Sequence, residues 1–133
     1  MQDTYKMEIV SPEKVIFLDE NVQEVVLPSY EGEMGILKDH IPIISFLRPG
    51  IVKILKLSKN VNSFFVQDGI IEFCNNNLTI LSSKIIDIKN LNKEKIDLLI
   101  TETEKILKNE KLNDDNRYLA NHKIDALRTL NLN

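Results

Sequence analysis

Every glycine and every proline of this 133-residue chain lies at or before Gly69, so turns can punctuate the first half while nothing interrupts a helix in the second. Gly32, Gly35, Gly50 and Gly69 act with Pro12, Pro28, Pro42 and Pro49 as turn signals. The last 45 residues hold neither type, which permits long helices. Aromatic residues divide in the same way, all but Tyr118 preceding residue 74. The halves should therefore differ in secondary structure, and the composition changes near Ile88 to Leu91. Residues 1–88 and 89–133 are expected to form separate units.

In the first unit, short β-branched or aromatic runs alternate with turn signals. Met7 to Val10 precedes Ser11-Pro12, Val22 to Leu27 precedes Pro28, and Ile51 to Leu57 follows Arg48-Pro49-Gly50. Ser63 to Gln67, Asp68-Gly69 and Ile70 to Phe73 predict a tight hairpin, because Asp-Gly tolerates the positive φ angles of a type I′ turn. Asn75 to Asn77 then turns the chain into Leu78 to Leu81. Many short strands at this spacing predict an antiparallel β-sandwich or barrel.

The second unit changes period. Ile96, Leu99, Ile100, Ile106 and Leu107 recur at three- and four-residue steps and mark one helical face. Asn92 is placed to cap that helix. After a break at Asn113-Asp114-Asp115, Leu119, Ala120, Ile124, Leu127 and Leu130 outline a second amphipathic helix, so the unit reads as an antiparallel two-helix hairpin. Its modest stripe must pack on itself, on the strands or on a partner, and mobility is expected.

Several function classes are excluded or unsupported. The net charge of −3, with both signs interspersed, offers no basic face for nucleic acid. No apolar run approaches the roughly 20 residues that span a bilayer, and no signal peptide or Arg-rich transit segment opens the chain, so direct membrane insertion is not expected and a cytoplasmic, bacterial or organelle-encoded protein is. Cys74 stands alone and follows an apolar strand, which predicts a small buried hydrophobe. His40 and His122 lie in different halves and join no ligand cluster, so no metal site is predicted. Glycine-rich phosphate loops are missing. Glu31 and Glu33 flank a glycine, where solvated turn charges are the ordinary reading. No catalytic residue and no cofactor is expected.

One stretch is more specific. Ser29 to Ile44 contains Glu31-Gly32-Glu33-Met34-Gly35-Ile36 followed by His40 and Pro42, and it resembles the "EGE-x-G-(I/V)-x-x-x-H-x-P" signature of the F-type ATP synthase epsilon family. Met7 to Phe17 resembles that family's opening strand and turn, Leu47 to Val52 its "L-x-P-G-x-(V/I)" segment, and Phe65 to Phe73 its "V-x-G-G-x-x-E-V" hairpin with Asp68 replacing the first glycine. These motifs occupy most of residues 5–83 in family order.

The resemblance implies a non-catalytic rotor subunit with a flattened sandwich of about ten strands, docked on the gamma subunit and resting on the c ring at the cytoplasmic face of a bacterial inner membrane. Glu31, Gly32, Glu33 and Met34 match the family's c-ring contact, where carboxylates meeting basic side chains would give orientation more than affinity. His40 falls in the gamma-facing region. The hairpin in this family either folds on the sandwich or extends along gamma toward the beta subunits and blocks hydrolysis. Lys105, Lys108, Lys111, Arg117, Lys123 and Arg128 are then available to acidic segments of beta, while the plainer reading is a solvated helix face. Some members bind ATP through an Ile/Leu-Asp-x-x-Arg-Ala motif. Ile96 and Asp97 match its start, but Ile100 and Thr101 replace the arginine and alanine, so nucleotide binding is not expected. Ile124 to Thr129 mimics the motif in the wrong helix. The competing class is a free-standing β-sandwich interaction module; an unrecognised hydrolase built around His40 stands further off.

Overall fold

The computed structural model describes residues 3–131. Among them are nine strands, β1 (Tyr5–Val10), β2 (Val15–Ser29), β3 (Gly32–Leu37), β4 (Ile43–Leu47), β5 (Gly50–Lys56), β6 (Val61–Val66), β7 (Gly69–Cys74), β8 (Asn77–Leu81) and β9 (Ile85–Asp87). A 3₁₀ turn at Ile88–Asn90 leads into two helices, α1 (Lys93–Leu107) and α2 (Asp114–Asn131). The strands run in the order β1-β8-β7-β4-β2-β5-β6-β9, with β3 added to β2. β4 meets β2 through the single pair Ser29↔Leu47, and the sheet folds over there. Met7, Ile9, Ile71, Phe73, Leu78 and Ile80 from one side thereby enclose a common core with Leu27, Ile36, Ile54 and Phe64 from the other.

Nine strands among the described residues fit the expected sandwich of about ten, and one long strand serves both sides. The first part of β2 pairs with β1, from Val15 to Val22, and its second part pairs with β3 and β5. An irregularity between Val22 and Glu24 separates the two parts in the β5 ladder, as a bulge does when it bends a strand. The sheet is also not wholly antiparallel, since β1 lies parallel to β8. Most of the sandwich separates those two strands in sequence, so no short turn dictates their direction.

Asp68-Gly69 does not form a hairpin. β6 pairs with β5 and β9, whereas β7 pairs with β4 and β8, so the dipeptide carries the chain from one side of the sandwich to the other. Gly69 is required there by space rather than by a positive φ. A Cβ on it would come 2.9 Å from the Leu81 carbonyl oxygen and 3.3 Å from Leu47 Cδ1. The crossing is tied down when Ser82 Oγ donates to the Asp68 carbonyl at 2.7 Å. The left-handed turn occurs instead at Asn75 and Asn76, with φ of 52° and 57°, between the paired residues Cys74 and Asn77. Cys74 is exposed, correcting the expectation of a buried thiol. Alternation along β7 turns Ile71 and Phe73 inward, which leaves Ile70, Glu72 and Cys74 facing out.

The helices begin where their caps predict. Asn92 Oδ1 accepts from Lys95 N at 2.8 Å, and Asn113 Oδ1 accepts from Asn116 N at 2.7 Å. Arg117 closes the far end of α1 by donating to the Leu107 and Asn109 carbonyls at 3.1 and 3.3 Å. Ile96 and Leu127 seat the hairpin on Phe65, which points out of the sheet while its neighbours Phe64 and Val66 point in. Covering Phe65 and Leu127 contributes roughly 2 kcal/mol each. Asn92→Ala is expected to weaken the hairpin by about 1 kcal/mol. Hydrogen exchange should then accelerate in the first turn of α1 but not in β5.

Candidate functional site

The two outer faces of the sandwich differ. On one, Ile51 and Phe65 lie beneath the hairpin. The other is bare and apolar. Strand register aligns Phe46 on β4 with Ile70 on β7 and Leu81 on β8, forming a row of outward side chains across three strands. Phe46 is 61% exposed and Ile44, two residues along the same strand, 69%. Ile41, just before β4, is also largely exposed. A hollow of about 390 Å³ lined by Pro42, Ile43, Ile44, Glu72, Phe73 and Cys74 indents it. An exposed apolar row of this kind marks a surface made to be covered.

His40 lies against the core-facing side of β7. Its Nδ1 lies 2.7 Å from the Ile41 carbonyl, and its ring meets Phe73 edge-on with centroids 5.8 Å apart. The preceding Asp39, at φ 66°, is fixed by Asn76, whose side chain both accepts from Asp39 N at 2.7 Å and donates to Asp39 Oδ1 at 2.9 Å. The β7–β8 turn thus sets the position of His40.

Glu31 lies in the turn from β2 into β3 and Glu33 is the second residue of β3, both exposed, with Gly32 between them at φ 127°. Ser29 Oγ donates to the Gly32 carbonyl at 2.7 Å and holds the turn tight. Met34 differs from its acidic neighbours, since it packs partly against the sandwich core. β3 separates this turn from His40 by roughly 17 Å of strand. The structure therefore presents two surfaces, not one site.

A third cluster was not singled out in the sequence. Arg48 Nη1 donates to Tyr118 Oη at 3.2 Å and lies 3.5 Å from His122 Nε2. The Tyr118 ring stacks on Tyr30, with centroids 6.0 Å apart, and meets the His122 ring edge-on at 4.4 Å. Burial and the Arg48 guanidinium hold the His122 imidazole below its ordinary pKa, opposed by Asp125. The available signal was Tyr118, the lone aromatic of the helical half, with His122 one turn later.

Six of the hairpin's nine cations, Lys105, Lys108, Lys111, Arg117, Lys123 and Arg128, have divided duties. Arg117 caps α1, and Arg128 lies 3.5 Å from Glu104 across the hairpin. Lys123 is half-buried, and its ammonium pKa is lowered first by that burial. Lys105, Lys108 and Lys111 are exposed. At the altered nucleotide motif, Ile96 is buried and Ile100 packs in the apolar seam beneath the hairpin. Asp97 accepts from Asn131 Nδ2 at 2.8 Å, and Thr101 Oγ1 donates to the Asp97 carbonyl at 2.9 Å. The arginine position is thus occupied by an interface side chain. In the mimic motif, Ile124, Ala126 and Leu127 are buried.

Residues 4–88 match the family model described as "ATP synthase, Delta/Epsilon chain, beta-sandwich domain". The chain belongs to the ATP synthase delta/epsilon family. Among curated relatives, the ATP synthase epsilon chain of Pelagibacter ubique (strain HTCC1062) is 54% identical over 131 residues, spanning 98% of this chain and 100% of that one. The epsilon chain of Parvibaculum lavamentivorans is 34% identical over 130 residues, 98% and 97% of the two chains. The delta/epsilon fold also recurs in solved structures. A chain of the Euglena gracilis mitochondrial ATP synthase OSCP/F1/c-ring assembly aligns with TM-score 0.76 at 16% identity, covering 99% of this chain and 81% of that one. A chain from the central stalk and c ring of the Tetrahymena thermophila enzyme gives 0.67 at 17% identity, covering 99% and 98%. At those identities the likeness concerns the fold alone.

Proposed function

We propose that this delta/epsilon family member is the epsilon chain of an ATP synthase, a non-catalytic subunit of the central stalk that joins gamma to the c ring. The observation that carries the reading is the bare row of Phe46, Ile70 and Leu81 on the sheet face opposite the hairpin. Gamma is its occupant, with His40 and Ile41 at the edge of the contact. The acidic turn Glu31-Gly32-Glu33 meets basic side chains of the c ring, Met34 bracing the turn from inside. Residues 1–88 form the docking unit and residues 89–133 a separable hairpin that can reach the beta subunits and restrain hydrolysis. The protein is then peripheral on the cytoplasmic side of a bacterial inner membrane, held there by its complex. No helix of the described residues is long and apolar enough to cross a membrane.

The test is reconstitution. Full-length protein added to a synthase complex stripped of its epsilon chain should bind saturably through gamma. The double variant Glu31→Lys, Glu33→Lys should still bind isolated gamma but associate with the complete rotor roughly two- to ten-fold more weakly, with a reduced dependence on salt. Failure of the unmodified chain to bind would favour the free-standing interaction module and end the synthase reading. Equal association of both forms with the rotor would remove only the acidic turn from the contact.

A further inference from the structure

The hairpin is held to the sandwich at two unlike places. Around Phe65, Ile96 and Leu127 the contact is apolar and insensitive to pH. Around Arg48 it is polar. The geometry points to a proton-operated latch in which neutral His122 helps hold α2 to the sandwich through Arg48, and protonation of the imidazole frees that part of the helix.

The polarity of the contact follows from the donors available. A guanidinium only donates and stays charged throughout the relevant pH range. Nε2 of His122, 3.5 Å from Arg48 Nη1, must therefore be the unprotonated nitrogen, with the proton of the neutral ring on Nδ1. A second proton converts this acceptor into a donor facing a donor and sets two cations against each other. The same Arg48 nitrogen binds Tyr118, whose hydroxyl donates to the Tyr30 carbonyl at 3.4 Å. Displacing Arg48 would therefore disturb the sandwich anchors of both α2 residues.

The other charges facing His122 come from each element around it. Asp125 on α2, Glu33 on β3 and Lys53 on β5 line the same cavity of about 250 Å³ with Arg48, which lies between β4 and β5. Asp125 and Glu33 favour the imidazolium, while Lys53 and Arg48 oppose it. Burial and Arg48 together outweigh Asp125 and favour the neutral ring. The linkage sign is then fixed. His122 titrates near 6.5 when α2 is free and lower when it is docked. Docking is at full strength above the free value and weakens as pH falls below it. At pH 5.5 the shift in the docking equilibrium cannot exceed about ten-fold, the limit for one group with a free pKa of 6.5.

Hydrogen exchange on the full-length chain tests this, with rates corrected for the intrinsic effect of pH. Between pH 7.5 and 5.5, amide protection from Leu119 to Leu127 should fall several-fold relative to β5 and β6. His122→Gln retains an uncharged acceptor and should hold α2 protection constant over that range. His40→Gln removes the other histidine and should leave the fall intact. Imidazole NMR should place the His122 midpoint below that of a peptide spanning α2. The latch is refuted if wild-type α2 protection does not fall, if the fall persists in His122→Gln or disappears in His40→Gln, or if the His122 midpoint equals or exceeds the peptide's. Because these readouts use the isolated chain, they stand apart from any test of binding to the synthase.

Discussion

Gly50→Ala is expected to remove about 2–3 kcal/mol of unfolding free energy, the upper part of the range for overpacking a rigid site. A Cβ there would lie 2.5 Å from Pro28 Cβ and 2.9 Å from Pro28 Cγ. Neither partner can rotate away, because the proline atoms belong to a ring fixed to the β2 backbone. The Pro28 carbonyl also accepts from Arg48 N at 3.0 Å, so a displaced β2 would pull on the base of the latch. Gly35→Ala provides the contrast. Its Cβ would meet only Glu24 Oε2 at 3.4 Å, a flexible side-chain end, so its urea midpoint should lie close to wild type. Equal losses in the two variants would show that the close approach of Gly50 to Pro28 does not set the cost.

The contrast between Gly50 and Gly69 explains what was legible in the sequence. Both residues announce a break in a strand pattern, and both breaks occur. Which strands then pair is decided by distant chain: Gly69 accommodates Leu81 and Leu47, neither of which is its sequence neighbour. Local turn chemistry therefore predicted a hairpin at Asp68-Gly69 where tertiary packing made a crossing. Helix ends were easier to read because Asn92 and Asn113 cap backbone amides only three residues away. The acidic turn and His40 were likewise visible as a motif, but their separation along β3 required the fold. Arg48 and His122, 74 positions apart, could not be paired from spacing in a single sequence.

The apolar face occupies a middle ground, and its signal was present in β4. Ile43-Ile44-Ser45-Phe46-Leu47 is apolar on both sides of the strand, whereas a half-buried strand alternates. Such a run suits a strand whose second face is also covered, and here one face contributes Leu47 to the core while the other leaves Ile44 and Phe46 exposed. With gamma as the proposed occupant of that face, Phe46→Glu should weaken binding to gamma by at least about 30-fold, equivalent to about 2 kcal/mol for a buried aromatic anchor. The free protein should keep its unfolding free energy to within about 0.5 kcal/mol, because the substituted side chain is exposed before binding. Leu98→Glu is the matched control: Leu98, 58% exposed, lies on α1 rather than on the bare sheet face. If isothermal titration with gamma gives the same loss for both variants, apolar exposure alone is no guide to the contact. Loss confined to Phe46→Glu would identify the sheet face as the gamma interface, since both substitutions place the same charge on an exposed apolar position.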